Sequence, residues 1–303
     1  MAAIVEPHAP DLTLRLMRVA VAGYYGLSQL MRRPPKAPGS VTEHAYGAHA
    51  DERIEFIEAR AGAPARAPIL YIHGGGWILG KKESYTRYLS FLAEAGYPVF
   101  NVEYPLAPEN PHPALLRSLF RALDWIGTSH SEVAGLHVMG DSAGGNLAMM
   151  LGLLAANPEC VAALDPERRE GLPLACHSVV SLYGVLDRMS WIEDGFPGAR
   201  NMMESYAGKG AFEAEVGPEL AITPMDLDFD SAPPSLLTVG MEDPLLRSSR
   251  IFAERLGKVS DKVVLREYPG EGHGFFNLGR SKSDVQMNAD ILEFLEAEDP
   301  TSA

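Results

Sequence analysis

Cysteine is nearly absent from the 303 residues, with Cys160 and Cys176 the whole complement. Two cysteines cannot frame a disulfide scaffold, and neither stands near a chemical motif, so both read as buried free thiols. Positive charge is also scarce. Lys and Arg total 26 against 40 Asp and Glu, a formal net charge of −14 at pH 7. That balance argues against nucleic acid or an anionic membrane as partner, because both select basic surfaces. No apolar run is long enough to form a membrane span. No His/Cys cluster has zinc spacing, and the glycines at Gly74–Gly76 lack a following Lys-Ser or Lys-Thr, so no metal, phosphate loop or other cofactor is implied. Internal repeats and low-complexity segments are missing as well.

What is present is a composition that can bury a full core, with 46% hydrophobic and 22% charged residues. The length suits one large α/β domain or two small ones. Leu14 to Leu30 is fairly apolar, but Glu6 and Asp11 precede it and Arg15 and Arg18 interrupt it. It therefore does not read as a signal peptide, and a cytoplasmic protein is the default expectation. Leu12, Leu16, Val19, Leu27 and Leu30 recur at helical spacing, which predicts an amphipathic helix laying that face on the body of the protein. A Pro-rich connector, Arg33 to Gly39, follows.

Val41–Tyr46 and Arg53–Arg60 alternate as two antiparallel edge strands would. From Ile69 onward strand and helix alternate. Strands are predicted at Ile69–Ile72, Val99–Tyr104, Leu136–Met139, Ser178–Tyr183, Ser235–Val239 and Val263–Tyr268. Helices are predicted at Ser84–Ala95, Ala114–Gly127, Asn146–Ala156, Leu246–Leu256 and Ser283–Ala297. The pattern predicts an α/β fold with a mostly parallel central sheet covered by helices on both faces, and loops carrying chemistry at the C-terminal strand ends. Only Leu186 to Asp230 breaks the rhythm, and an insertion of that length between core strands is usually functional.

The chemistry-bearing stretch is Leu136–Leu147, LHVMGDSAGGNL. A short apolar strand, a tight Gly140-x-Ser142-x-Gly144 turn and a helix form the context in which a serine is held exposed as a nucleophile. A serine hydroxyl needs a base, an orienting acid and donors for a developing oxyanion. His273, on the Gly-flanked loop Gly270–Gly274, is the candidate base. Asp243, just past the strand ending at Gly240, is the candidate acid, with Glu242 its neighbouring competitor. The backbone amides of Gly75, Gly76 and Ala143 are the candidate oxyanion donors. His73 precedes the glycines and is expected to hydrogen-bond that loop rather than act as base, and Asp141 is expected to orient nearby backbone. A Gly75→Val substitution is expected to lower turnover while leaving the fold intact.

His73-Gly-Gly-Gly-Trp77, Gly140-Asp-Ser-Ala-Gly-Gly145, the Glu242-Asp-Pro-Leu245 turn and Gly272-His-Gly-Phe275 together resemble the hormone-sensitive-lipase-like esterases of the α/β-hydrolase superfamily. The resemblance runs from about Pro68 to Leu295. Tyr104–Glu109 resembles that family's Tyr-Arg-Leu-Ala-Pro-Glu signature, with Pro105 where the arginine usually stands, a departure that bears on a structural turn and a local ion pair and not on the triad. The resemblance implies an α/β-hydrolase fold with a helical cap. Residues 1–40 would be an N-terminal cap segment, 41–185 and 231–303 the two parts of the core, and 186–230 a cap insertion. It also implies a serine carboxylesterase acting on short- to medium-chain acyl esters, with Trp77, Met202, Met203 and Tyr206 as substrate-pocket candidates. An amidase or aryl-formamidase using the same triad is the alternative. A non-catalytic small-molecule receptor is more remote, because plant gibberellin receptors resemble the family but lack the histidine that stands here as His273. Family members are often monomers or homodimers, and nothing in the chain marks an interface.

Overall fold

Eight strands are formed by alternating or continuously apolar stretches: β1 (Val41–Ala45), β2 (Arg53–Ile57), β3 (Ile69–Ile72), β4 (Val99–Val102), β5 (Gly135–Asp141), β6 (Ala175–Leu182), β7 (Ser235–Gly240) and β8 (Val263–Tyr268). They come from a computed structural model that describes residues 12, 14–16, 18–19, 39–168, 170–209, 211, 221–277 and 281–302. The strands join in one sheet in the order β1-β2-β4-β3-β5-β6-β7-β8. β1 pairs antiparallel with β2 and β2 with β4, and every other pairing is parallel. Of the two N-terminal strands expected at an edge, only β1 is there, and all five of its residues are exposed; β2 is interior.

The period of two along each strand divides the core into two layers. In β3, Leu70 and Ile72 face a cluster containing Leu115, Leu119 and Leu123 of α2 (Ala114–Ser129) and Leu147, Leu151 and Leu154 of α3 (Ala143–Ala156). Ile69 and Tyr71 face the opposite cluster, with Leu92 of α1 (Ser90–Glu94) and Met287, Ile291 and Leu295 of α8 (Lys282–Glu298). α3 is buried from Ala143 to Leu154, as its largely apolar composition requires, with Asn146 the one polar side chain in that run. Two short helices, α5 (Arg188–Glu193) and α6 (Ala199–Ala207), lie in the insertion, and α7 (Leu246–Leu256) follows β7. A four-residue helix, α4 (Val161–Leu164), follows α3. Among the described residues no single helix is long and apolar enough to cross a membrane.

Three expectations are corrected. The helix expected over Ser84–Ala95 is only α1, preceded by turns. Side chains anchor that approach: Glu103 accepts the Lys82 amide at 2.9 Å and Asn101 donates to the Lys82 carbonyl at 2.9 Å, and the backbone beyond closes in successive turns, Tyr85 amide to Lys82 carbonyl at 2.9 Å and Leu89 amide to Tyr85 carbonyl at 3.0 Å. In the N-terminal segment, residues 12, 14–16, 18 and 19 are helical, but Leu12, Leu16 and Val19 are exposed. Leu14 faces inward instead, and Arg18 bonds the body of the protein, so the apolar stripe points away from the core. Leu27 and Leu30 lie outside the described residues. Finally, Cys160 and Cys176 are free but half-buried rather than buried. The Cys176 sulfur is turned towards Gly152 of α3, and burial pushes its thiol up to about 12.

Two core histidines tie stability to pH. Burial lowers His112 to about 3 and His137 to about 4. Between those values and the ordinary 6.5 each is neutral in the fold and charged in the unfolded chain. The unfolded chain then binds more protons, so stability falls as pH falls. His73 is shifted upward, so its contribution is constant below about 6.5 and adds no slope there. Denaturant titrations should therefore show stability dropping between pH 6.5 and 4.5 by on the order of a few kcal/mol. Asp141, raised in the fold, opposes this slope, so the reading is checked by difference: a profile unchanged in His112→Gln and in His137→Gln would mean that neither imidazole is held neutral.

Candidate active site

Ser142 is the single residue between β5 and α3, with φ 52° and ψ −117°. Positive φ is strained for a residue with a Cβ, and here neighbouring backbone enforces it. The Ser142 amide donates to the Leu182 carbonyl at 2.8 Å, and its carbonyl accepts the Asn146 amide at 3.0 Å and the Val185 amide at 3.3 Å. The two flanking glycines allow the strand and helix to touch. A Cβ on Gly144 would run into the Ile72 carbonyl, and one on Gly140 into the Gly144 carbonyl.

The three candidate side chains, from the ends of β5, β7 and β8, meet in one hydrogen-bonded line. Ser142 Oγ lies 2.9 Å from His273 Nε2, and His273 Nδ1 lies 2.9 Å from Asp243 Oδ2. An acceptor-only carboxylate on Nδ1 places the imidazole proton there and leaves Nε2 free to accept the serine hydroxyl. Asp243 is buried, and its second oxygen accepts the Leu245 amide at 2.9 Å, so the carboxylate cannot rotate freely. Glu242, the competitor by sequence, is exposed and contributes its backbone amide to the Glu271 carbonyl instead.

The glycine loop beside Ser142 hangs from a buried polar network. Asp141 accepts from the Gly74 amide at 2.8 Å, from Tyr71 at 2.8 Å and from Tyr85 at 3.0 Å. Burial nevertheless raises its carboxyl above the usual range, since three neutral donors do not replace water around a charge. His73 Nδ1 lies 2.8 Å from the Gly74 carbonyl, its Nε2 lies 3.3 Å from Glu103, and its ring stacks on Tyr104 at 4.4 Å. Burial opposes charge on this ring, but Glu103, the Gly74 carbonyl and Asp141 together outweigh it and shift His73 upward. The Gly75 carbonyl accepts the Ile78 and Leu79 amides at 3.2 and 3.1 Å. The Gly74 amide is thus spent, while among the described residues no acceptor takes the amides of Gly75, Gly76 or Ala143.

Of the pocket candidates, Trp77, Met203 and Tyr206 are wholly buried. Trp77 stacks on Tyr206 at 4.3 Å and meets Trp191 edge-on at 5.7 Å, and His112 Nδ1 lies 3.0 Å from the Tyr206 hydroxyl. Met202 is half-buried and lies over Gly76, where a Cβ would strike its sulfur. Two further rings contact the His273 imidazole, Phe196 at 4.8 Å and Tyr183 at 5.0 Å. The sequence offers Phe196 only as one of the aromatic and Met side chains of the 186–230 insertion, expected to wall the substrate pocket, and does not mark Tyr183. Phe196 lies in the irregular insertion, and Tyr183 looks like an ordinary strand end, although its φ of 39° marks it as strained.

Among the described residues, Glu43, Glu55 and Glu83 bring carboxylates together, but Lys82 Nζ sits among them, 2.6 Å from Glu43, and supplies the positive charge itself.

Comparison with known proteins agrees with this fold. The sequence profile of a family described as the α/β hydrolase fold matches residues 69–277, more than half of the chain. An esterase of Acinetobacter venetianus is 29% identical over 242 residues, covering 78% of this chain and 77% of its own. Mouse hormone-sensitive lipase is 39% identical over 111 residues, covering 34% of this chain and 14% of its own. A solved hyperthermophilic esterase from Pyrobaculum calidifontis superposes with a TM-score of 0.76 at 23% identity, covering 95% of this chain and 94% of its own, and so shares the fold. The chain belongs to the α/β-hydrolase-fold family, among its hormone-sensitive-lipase-like members.

The glycine loop also revises the choice of probe. At Gly75 a Cβ would run into the Leu79 backbone carbonyl, so Gly75→Val would displace the loop and not leave it intact. At Gly76 the obstacle is the Met202 side chain. Gly76→Ala should slow labelling of Ser142 by a fluorophosphonate by about tenfold, through misplacement of the adjacent amides. Met202→Ala in that background should recover the part of the loss due to that contact, but not the part due to the positive φ of 58° at Gly76. Equal labelling rates in wild type and Gly76→Ala would remove Met202 and Gly76 from contact.

Proposed function

We propose that this carboxylic ester hydrolase cleaves short- to medium-chain acyl esters with Ser142 as nucleophile, His273 as general base and acid, and Asp243 as the orienting carboxylate. The observation that carries the reading is the unbroken Asp243–His273–Ser142 hydrogen-bonded line beside three unspent backbone amides. His273 Nε2 takes the hydroxyl proton as Ser142 Oγ attacks the ester carbonyl. The carbonyl oxygen becomes an oxyanion, and the amides of Gly75, Gly76 and Ala143 stabilise it. The Ala143 amide adds the favourable end of the α3 dipole. One such donor is worth about 3–4 kcal/mol of transition-state stabilisation. Collapse of the intermediate breaks the ester C–O bond, and the proton on His273 passes to the leaving alcohol. Water, deprotonated by the same imidazole, then releases the acid and restores Ser142.

The cap assignment belongs to this proposal. Residues 1–40 and 186–230 would cover the catalytic ends of the strands, between the core parts 41–185 and 231–303. Phe196 against His273 and Met202 over Gly76 support a bounded pocket and hence a limit on acyl length. Trp77, Met203 and Tyr206 form the aromatic and sulfur packing behind that wall. The receptor alternative is weakened because His273 stands within hydrogen-bond reach of Ser142.

Hydrolysis of 4-nitrophenyl esters from acetate to palmitate tests the reading. Activity should peak at short to medium chains and fall by about 10⁴-fold or more in Ser142→Ala. Activity surviving in Ser142→Ala would overturn the triad. A folded wild type that cleaves matched anilides faster than esters would transfer the reading to the amidase alternative.

A further inference from the structure

Pro105 carries no charge at the position where the resembled signature places an arginine, yet Glu109 has a cation. It comes from Arg18, far earlier in the chain. The Arg18 guanidinium grips Glu109 in bidentate fashion, Nη1 to Oε1 at 2.7 Å and Nη2 to Oε2 at 2.8 Å. The same group donates from Nη2 to the Ala107 carbonyl at 2.6 Å and from Nε to the Ile78 carbonyl at 2.7 Å. One planar fork therefore joins three segments: the N-terminal helical stretch, the Tyr104–Glu109 loop and the glycine loop.

Ile78 matters because of its place in that glycine loop. Its amide and that of Leu79 both donate to the Gly75 carbonyl, so the turn that orients the Gly75–Gly76 peptide closes through Ile78. The Trp77 carbonyl accepts the Ala107 amide at 2.9 Å, so the two loops already touch at one point. Arg18 adds the second point, with Ala107 and Ile78 both buried beneath it. Two points fix the relative orientation of two loops where one leaves a pivot.

We infer that Arg18 is a positioning residue, which latches the N-terminal segment onto the glycine loop and holds the Gly75 and Gly76 amides in register with Ser142. The inference rests on the proposed esterase reading and deepens it by making the N-terminal segment part of the oxyanion machinery. The Arg18–Glu109 pair is partly exposed, with 26% and 44% of the side chains accessible, and so contributes little to global stability. Its consequence is geometric. A displacement of about 1 Å remote from the reacting atoms can cost up to about a hundredfold in rate.

Wild type, Arg18→Ala, Arg18→Lys, Glu109→Gln and Ser142→Ala, as full-length chains, would be compared on 4-nitrophenyl butyrate. The active variants would also be tested for inhibition by a trifluoromethyl ketone, which gives an oxyanion when the Ser142 hydroxyl adds to its carbonyl, and all five chains for hydrogen–deuterium exchange across residues 74–80. Arg18→Ala is expected to lower kcat about tenfold to a hundredfold with KM within about twofold. The ketone should lose affinity in proportion, exchange in 74–80 should rise and Tm should stay nearly unchanged. Arg18→Lys, which keeps the charge but not the fork, should fall between, and it serves as the decisive variant if Arg18→Ala does not fold. Unchanged kcat and ketone affinity in a folded Arg18 variant overturn the latch, as does unchanged exchange in 74–80. Ser142→Ala separates the two failures, because activity persisting there overturns the esterase reading and not the latch, which the exchange measurement still decides.

Discussion

Ser142 occupies a backbone conformation that a residue with a Cβ adopts only under constraint, at a cost of about 1–3 kcal/mol. The surrounding structure is arranged to sustain it. Parallel β3 and β6 flank β5, so the Ile72 carbonyl and the Leu182 carbonyl meet the turn from its two sides. The first excludes any side chain at Gly144, and the second accepts the Ser142 amide. The turn then brings Oγ to the C-terminal edge of the sheet, where the loops after β7 and β8 deliver Asp243 and His273. Ala143 opens α3 with an unspent amide beside that oxygen.

The glycine loop is the second half of the same constraint. Asp141 ends the strand that carries Ser142, and its carboxylate takes the Gly74 amide together with two tyrosine hydroxyls. That one buried side chain registers the glycine loop against Ser142, while consuming one amide and leaving the next two. His73 locks the Gly74 carbonyl from the other side, stacked on Tyr104, whose hydroxyl donates to the His73 carbonyl at 2.7 Å. Fully bonded buried networks of this kind rigidify what they surround. Arg18 acts at the outer end of the loop, where backbone contacts alone leave it less firmly held.

How much of this could be read from the chain depends on how local the chemistry is. The elbow, the glycine loop and the strand ends carrying Asp243 and His273 are short motifs whose residue types follow from backbone geometry. The structure brings those residues together. β3, β8 and α7 have the bounds that their apolar patterns predict, because periodicity within one element is also local. The N-terminal stripe shows where periodicity stops. Leu12, Leu16 and Val19 do share a helix face, but spacing says only that a face exists, and Arg18 and Leu14 decide which side docks. Phe196 and Tyr183 were equally illegible as neighbours of His273, since each contact joins segments far apart in sequence. Asp243 and Glu242 are adjacent and chemically alike, and burial and the contact with His273 separate them.

The central claim is that the strained serine faces both its base and a set of preorganised amides. A crystal structure of the chain after reaction with a phosphonate ester tests it directly. Phosphorus should be bonded to Ser142 Oγ, with one phosphoryl oxygen about 2.7–3.1 Å from the amide nitrogens of Gly75, Gly76 and Ala143. An adduct on another residue, or a phosphoryl oxygen turned away from those three amides, would contradict the account.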